Sequence, residues 1–111
     1  MAFVINPFTK TIAPIDYDGD YNSIFPHLGR DVEGFEGVVI VNGNSVYVDG
    51  NGLFKDRQAY FQMRLGDSDD KDHYYPMAGN GFVLGTDGDG YSIDPTITLE
   101  DLRDRIIWGI E

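Results

Sequence analysis

Along residues 37 to 49 the chain reads "GVVIV", "NGN", "SVYVD", two β-branched runs on either side of an Asn-Gly step. Asn and Gly tolerate the positive φ angles of a two-residue turn, so this pattern predicts a hairpin, and "GNG" directly after it turns the chain again. "AFVIN" and "TKTIAPID" predict two more strands joined by "NPFT", where Asn6 before Pro7 favours a turn. In "AYFQMRL", Phe61, Met63 and Leu65 alternate with Tyr60, Gln62 and Arg64, the pattern of a strand with one wet face. "GFVLG" is a further strand, and "TDGDG" a tight turn into "YSI". Between these strands, "GDSDDKDHYYP" at residues 66 to 76 has no apolar periodicity and predicts a solvated connection.

Helical spacing occurs twice. Tyr21, Ile24, Phe25 and Leu28 recur at helical intervals behind Asp20, a capping residue, while Pro26 keeps that helix short. Thr98 with Asp101 three positions on is a capping-box pattern carrying the shorter acid. Leu99, Leu102 and Ile106 then form an apolar stripe opposite Asp101, Asp104 and Arg105, predicting a helix from about residue 99 to 107. An antiparallel sheet of about five to seven strands, with two short helices packed on one face of it, places the chain in the α+β class. Without repeat, heptad or linker, residues 1–111 are expected to form a single compact domain.

Charge changes the picture most. Nineteen acidic residues stand against eight basic ones, a net charge of -11, and a field of that sign repels phosphates and anionic membranes while attracting basic proteins. Direct nucleic-acid binding is therefore not expected. Many of the acids sit beside glycine, as in "DYDGD", "VDGNG" and "GTDGDG", so part of the acidity is turn chemistry. There is no cysteine, which excludes disulfide scaffolds, thiolate metal sites and cysteine nucleophiles and suits a reducing cytosol. No signal-like leader and no run of eighteen apolar residues is present, so neither secretion nor membrane insertion is indicated.

Candidate chemistry narrows quickly. "DYDGDYN" places Asp16, Asp18, Asp20 and Asn22 at alternate positions like the first half of a calcium loop. The sixth and twelfth positions should be Gly and an acid but are Tyr21 and His27, and the same test fails from Asp67 and from Asp87. His27 and His73 are the only histidines and lack ligand spacing. No G-x-S-x-G elbow exists, and Ser68 sits among carboxylates that oppose an oxyanion. Gly79, Gly81 and Gly85 precede or lie in a strand instead of leading into a helix, so close backbone approach explains them better than phosphate cradling. The chain is accordingly read as no enzyme, with no metal and no cofactor.

The succession "TIAPIDYDGDYNSIFPHLG", "VVIVNGNSVYVDGNGLF", "PMAGNGFVLGTDGDG" and "TITLEDLRDRI" resembles a small domain of unknown function found in phages and mobile elements. The resemblance spans residues 10 to 107 and lacks a counterpart for "DSDDKDHYY". It assigns no catalytic residue. It implies an accessory protein acting in the bacterial host cytoplasm.

For such a protein, a carboxylate surface has a physical use. Duplex DNA carries a charge about every 3.4 Å along each strand, and proteins that grip it present Lys and Arg to that row. Carboxylates on a rigid scaffold can occupy the same groove. In extended chain, alternate residues point the same way about 6.6 Å apart, so Asp16, Asp18 and Asp20, and Asp87 and Asp89, predict rows of like charge. Asp67, Asp69, Asp70 and Asp72 add a third acidic group, with Tyr74 and Tyr75 as anchor surface. The expected function is therefore inhibition of a basic, nucleic-acid-handling host defence protein, such as a CRISPR effector or restriction enzyme, by a DNA-mimicking surface. A small-molecule or nucleotide-binding module using Arg30, Arg57 or Arg64, and a virion assembly factor, are the alternatives.

Overall fold

A computed structural model describes residues 1–19, 21–28, 34–50, 59–66 and 74–109 of the chain. Within them, β1 (Ala2–Asn6), β2 (Thr11–Ile15), β3 (Phe35–Val41), β4 (Asn44–Asp49) and β7 (Gly81–Thr86) form one sheet in the order β2-β1-β7-β4-β3. The two-residue strand β8 (Ser92–Ile93) pairs with the end of β7. A second sheet contains β6 (Tyr74–Ala78), β5 (Tyr60–Arg64) and β9 (Ile106–Trp108), in that order. All pairs are antiparallel. Helix α1 (Phe25–Leu28), preceded by a 3₁₀ turn at Tyr21–Ser23, and helix α2 (Leu99–Asp104) complete an α+β fold.

The turns follow local chemistry. Asn42 and Gly43 both have positive φ, 50° and 77°, the backbone that the Asn-Gly hairpin pattern predicts. At the β1–β2 turn, Asn6 Oδ1 accepts from the amides of Phe8 and Thr9, holding the chain reversal before and through Pro7. Thr98 caps α2, its Oγ1 accepting from the Asp101 amide at 3.1 Å. Only half of the capping box forms, because the Asp101 carboxylate turns toward Arg105 Nε, 3.4 Å away.

The larger sheet has two buried faces, and this explains why β7 reads as an uninterrupted apolar run. Phe3 and Ile5 of β1, Val46 and Val48 of β4 and Val83 of β7 face one core, which the second sheet fills with Phe61, Met63 and Met77 and α2 fills with Leu102. Ala2, Phe82 and Leu84 face the opposite way, where Ile24 and Leu28 cover them. The two helices thus lie on opposite faces of the sheet, not together on one face as the sequence suggested. A sheet buried on both sides needs a cover on each.

Two further expectations are corrected. The carboxy-terminal helix stops at Asp104, and Ile106 leaves its stripe to pair with Met63 of β5. Arg105 is not on a solvent face but buried, 5% exposed. Tyr74, Tyr75 and Pro76, read as the end of a solvated connection, open edge strand β6 instead. Pro76 there, like Pro14 on edge strand β2, is tolerated because an edge has amides with no ladder partner, and it discourages pairing with another chain.

The glycines at 79, 81 and 85 have different reasons: Gly85 meets neighbouring backbone, Gly81 lies against the Val46 and Phe61 side chains, and Gly79 takes a left-handed turn. Gly79 has φ 77°. A Cβ on Gly85 would lie 2.7 Å from the Asp94 carbonyl oxygen, at the β7–β8 contact, whereas one on Gly88 meets nothing within 4 Å. Gly85→Ala is expected to cost about 1–3 kcal/mol in urea unfolding, with Gly88→Ala close to neutral. Equal midpoints for the two variants would contradict the tight approach.

Candidate functional site

The antiparallel register decides which acids meet. Ala2 pairs with Ile15, so Asp16 and Asp18 leave β2 beside the start of β1. Phe3 pairs with Val83, and Gly85 pairs with Ile93, so the end of β7, its turn and β8 lie at that same end of the sheet. The Met1 ammonium bonds Asp94 Oδ1 at 2.8 Å across this junction. Asp16, Asp18, Asp87, Asp89 and Asp94 are all exposed here. Residues from two segments some seventy positions apart therefore share one end of the larger sheet, with the Met1 ammonium paired to Asp94.

Asp87 and Asp89 do not form an extended row. Asp87 Oδ1 accepts from the amides of Asp89 and Tyr91, both at 2.9 Å, and the Asp87 amide donates to the Tyr91 carbonyl. This is a tight turn, in which Asp87 has a structural task and Asp89 stands free at the tip. Asp18 Oδ1 accepts from the Ser23 hydroxyl at 3.0 Å, which ties the segment after β2 to the 3₁₀ turn. Asp20, and Asp67, Asp69, Asp70 and Asp72, lie outside the described residues.

The same turn holds a residue that sequence reasoning passed over. Tyr91 is 72% exposed, the most exposed large apolar side chain among the described residues, and Ile93 beside it is 40% exposed. Carboxylates from Asp87, Asp89 and Asp94 flank this pair in sequence. An aromatic inside an acidic "DGDGYSID" stretch was the available signal. Tyr74 and Tyr75, by contrast, belong to β6, and the Tyr75 hydroxyl lies 3.5 Å from Glu36 Oε1 near the start of β3. The hairpin turn that ends β3 is the part bonded to β7, through the Thr86 amide and the Gly43 carbonyl. Tyr75 is therefore away from the Asp87–Tyr91 turn, and the described anchors divide between two places.

Two polar side chains have structural work instead. Asn44, 1% exposed, donates to the Val41 carbonyl and to Thr96 Oγ1 and accepts from the amides of Thr96 and Ile97. Arg105 donates through Nη1 to the carbonyls of Arg64 and Gly66. Among the described residues no three His, Asp or Glu side chains converge to hold a metal ion, and no helix is long and apolar enough to cross a membrane. No protein-family model, curated protein or solved structure matches the chain. The resemblance to the phage domain stands on its four motifs alone.

Proposed function

We propose that this protein is a non-catalytic accessory protein of a phage or mobile element that inhibits a host defence protein, such as a CRISPR effector or restriction enzyme, by occupying its nucleic-acid groove. One observation supports it above the others. The sheet register gathers exposed carboxylates from Asp16–Asp18 and Asp87–Asp94 at one end, and the second of these segments carries an exposed tyrosine, Tyr91.

Like charges held together repel one another, a cost that solubility alone does not require to be concentrated. A basic groove offsets that repulsion on binding, and its lysines and arginines find carboxylates in place of phosphates. Tyr91 supplies the large, rigid contact that anchors interfaces, while the carboxylates steer approach and exclude uncharged partners. Because screening acts over about 8 Å at physiological ionic strength, the attraction works at close range and weakens in salt.

The test uses immobilised wild-type protein and a variant carrying Asp16→Asn, Asp18→Asn, Asp89→Asn and Tyr91→Ala. Asp87 is left intact because its carboxylate builds the turn. The expected result is a nucleic-acid-handling protein retained from bacterial lysate at low salt, displaced by duplex DNA, and bound roughly tenfold or more weakly by the variant. A parallel variant neutralising Asp67, Asp69, Asp70 and Asp72 reports on the second acidic segment. Undiminished retention by both variants, or retention indifferent to DNA, would sink the proposal.

A further inference from the structure

On a chain with nineteen acids and eight bases, the surroundings of each cation are informative. Four of the cations are among the described residues: Lys10, Arg64, Arg103 and Arg105. Arg105 is committed to main-chain carbonyls and Asp101, and Arg64 has interactions of its own. Lys10 and Arg103 have no ion-pair partner among the described residues. Both line one cleft of about 350 Å³, together with Thr11, Ile12 and Trp108.

The lining brings three elements together. Lys10 closes the β1–β2 turn, Thr11 and Ile12 open β2, Arg103 is in the last turn of α2, and Trp108 ends β9. Among the described lining residues there is no carboxylate. Glu100 and Asp104 are close to Arg103 in sequence, yet neither lines the cleft. Lys10 has φ 55°, a left-handed backbone that Gly or Asn adopts at less cost. Whatever the reason for a lysine at this turn, its ammonium is brought to the cleft.

We infer that this cleft binds a small planar aromatic phosphate of the mononucleotide class, with the phosphate between Lys10 and Arg103 and the ring against Trp108. The volume falls within the usual range for small-ligand pockets. A phosphate monoester carries close to two negative charges at neutral pH, matched by one ammonium and one guanidinium. Indole faces stack well on planar rings, and Ile12, itself buried, supplies an apolar wall. Thr11 adds a hydroxyl, already bonded to Thr9 Oγ1 at 2.7 Å and so held in place. This site is separate from the acidic end of the sheet, and the inference does not depend on that surface having a partner.

Trp108 is the only tryptophan in the chain, so its fluorescence reads the cleft directly. Titration with AMP is expected to quench or shift that emission saturably, with a dissociation constant of about 1 mM or tighter at low salt. Lys10→Ala and Arg103→Ala, both at exposed positions, are each expected to weaken AMP about tenfold while leaving the thermal unfolding midpoint unchanged. Adenosine and inorganic phosphate should each bind more weakly than AMP. No saturable response to AMP, or an AMP affinity indifferent to both substitutions, would overturn the inference. Adenosine binding as tightly as AMP would remove the anion from it, and phosphate binding as tightly as AMP would remove the ring.

Discussion

Replacing Arg105 with methionine is expected to cost about 3–5 kcal/mol in urea unfolding followed by Trp108 fluorescence, even though methionine fills much of the same volume. The guanidinium donates to the Gly66 carbonyl at 2.6 Å and the Arg64 carbonyl at 3.1 Å, and hydrogen bonds from a charged donor are worth about 1.5–3 kcal/mol each. Its pairing with Asp101, whose side chain is 44% exposed, adds little because solvent screens it. One carbonyl ends β5 and the other lies two residues beyond it, and the Gly66 amide in turn donates to the Ile40 carbonyl of β3 at 2.7 Å. Arg105 therefore holds the point where the two sheets join. Arg105→Lys should recover less than half of the loss, since one ammonium on a flexible stem does not reproduce the guanidinium fork. A cost below about 1 kcal/mol for the methionine variant would show that water satisfies those carbonyls just as well.

Asn44→Ala is expected to be comparably severe, at about 3–5 kcal/mol. The side chain makes four hydrogen bonds at an almost fully buried position, two given and two received. Its removal strands the amides of Thr96 and Ile97 and the Val41 carbonyl. A stranded buried group costs about 1–3 kcal/mol, less at the exposed Thr96, and water in the adjoining cleft of about 150 Å³ relieves part of it. Asn44→Asp provides a check: it keeps the acceptor for the two amides, but it loses both donated bonds and sets a buried carboxylate against the Val41 carbonyl, so it should recover little of the Asn44→Ala loss. Wild-type stability in Asn44→Asp would mean that the introduced group had turned out to solvent.

Much of the local architecture was legible from residue patterns. The Asn42–Gly43 hairpin, the Thr98 cap and the alternation of Phe61 and Met63 depend on neighbours within a few positions, and such interactions act whatever the rest of the chain does. The two misread segments depend on distant partners. Ile106, Ile107 and Trp108 fit a helical stripe or a strand equally in sequence, and pairing with Phe61, Gln62 and Met63 chose the strand. "YYPMA" carries a proline that argues against a strand until its edge position beside β5 is known.

The functional surface divides in the same way. Composition alone determined that the protein carries a strong negative charge and no cysteine chemistry, and local spacing determined the turn at Asp87–Tyr91. The tertiary structure decided that Asp16–Asp18 and Asp87–Asp94 share an end of the sheet, that Tyr75 is on β6 beside Glu36 and away from the exposed Tyr91, and that Lys10, Arg103 and Trp108 line one cleft. The physical reason is register. Antiparallel pairing is set by burial of alternate side chains against partners far away in sequence, so which charges become neighbours is fixed only when the sheets close on their cores.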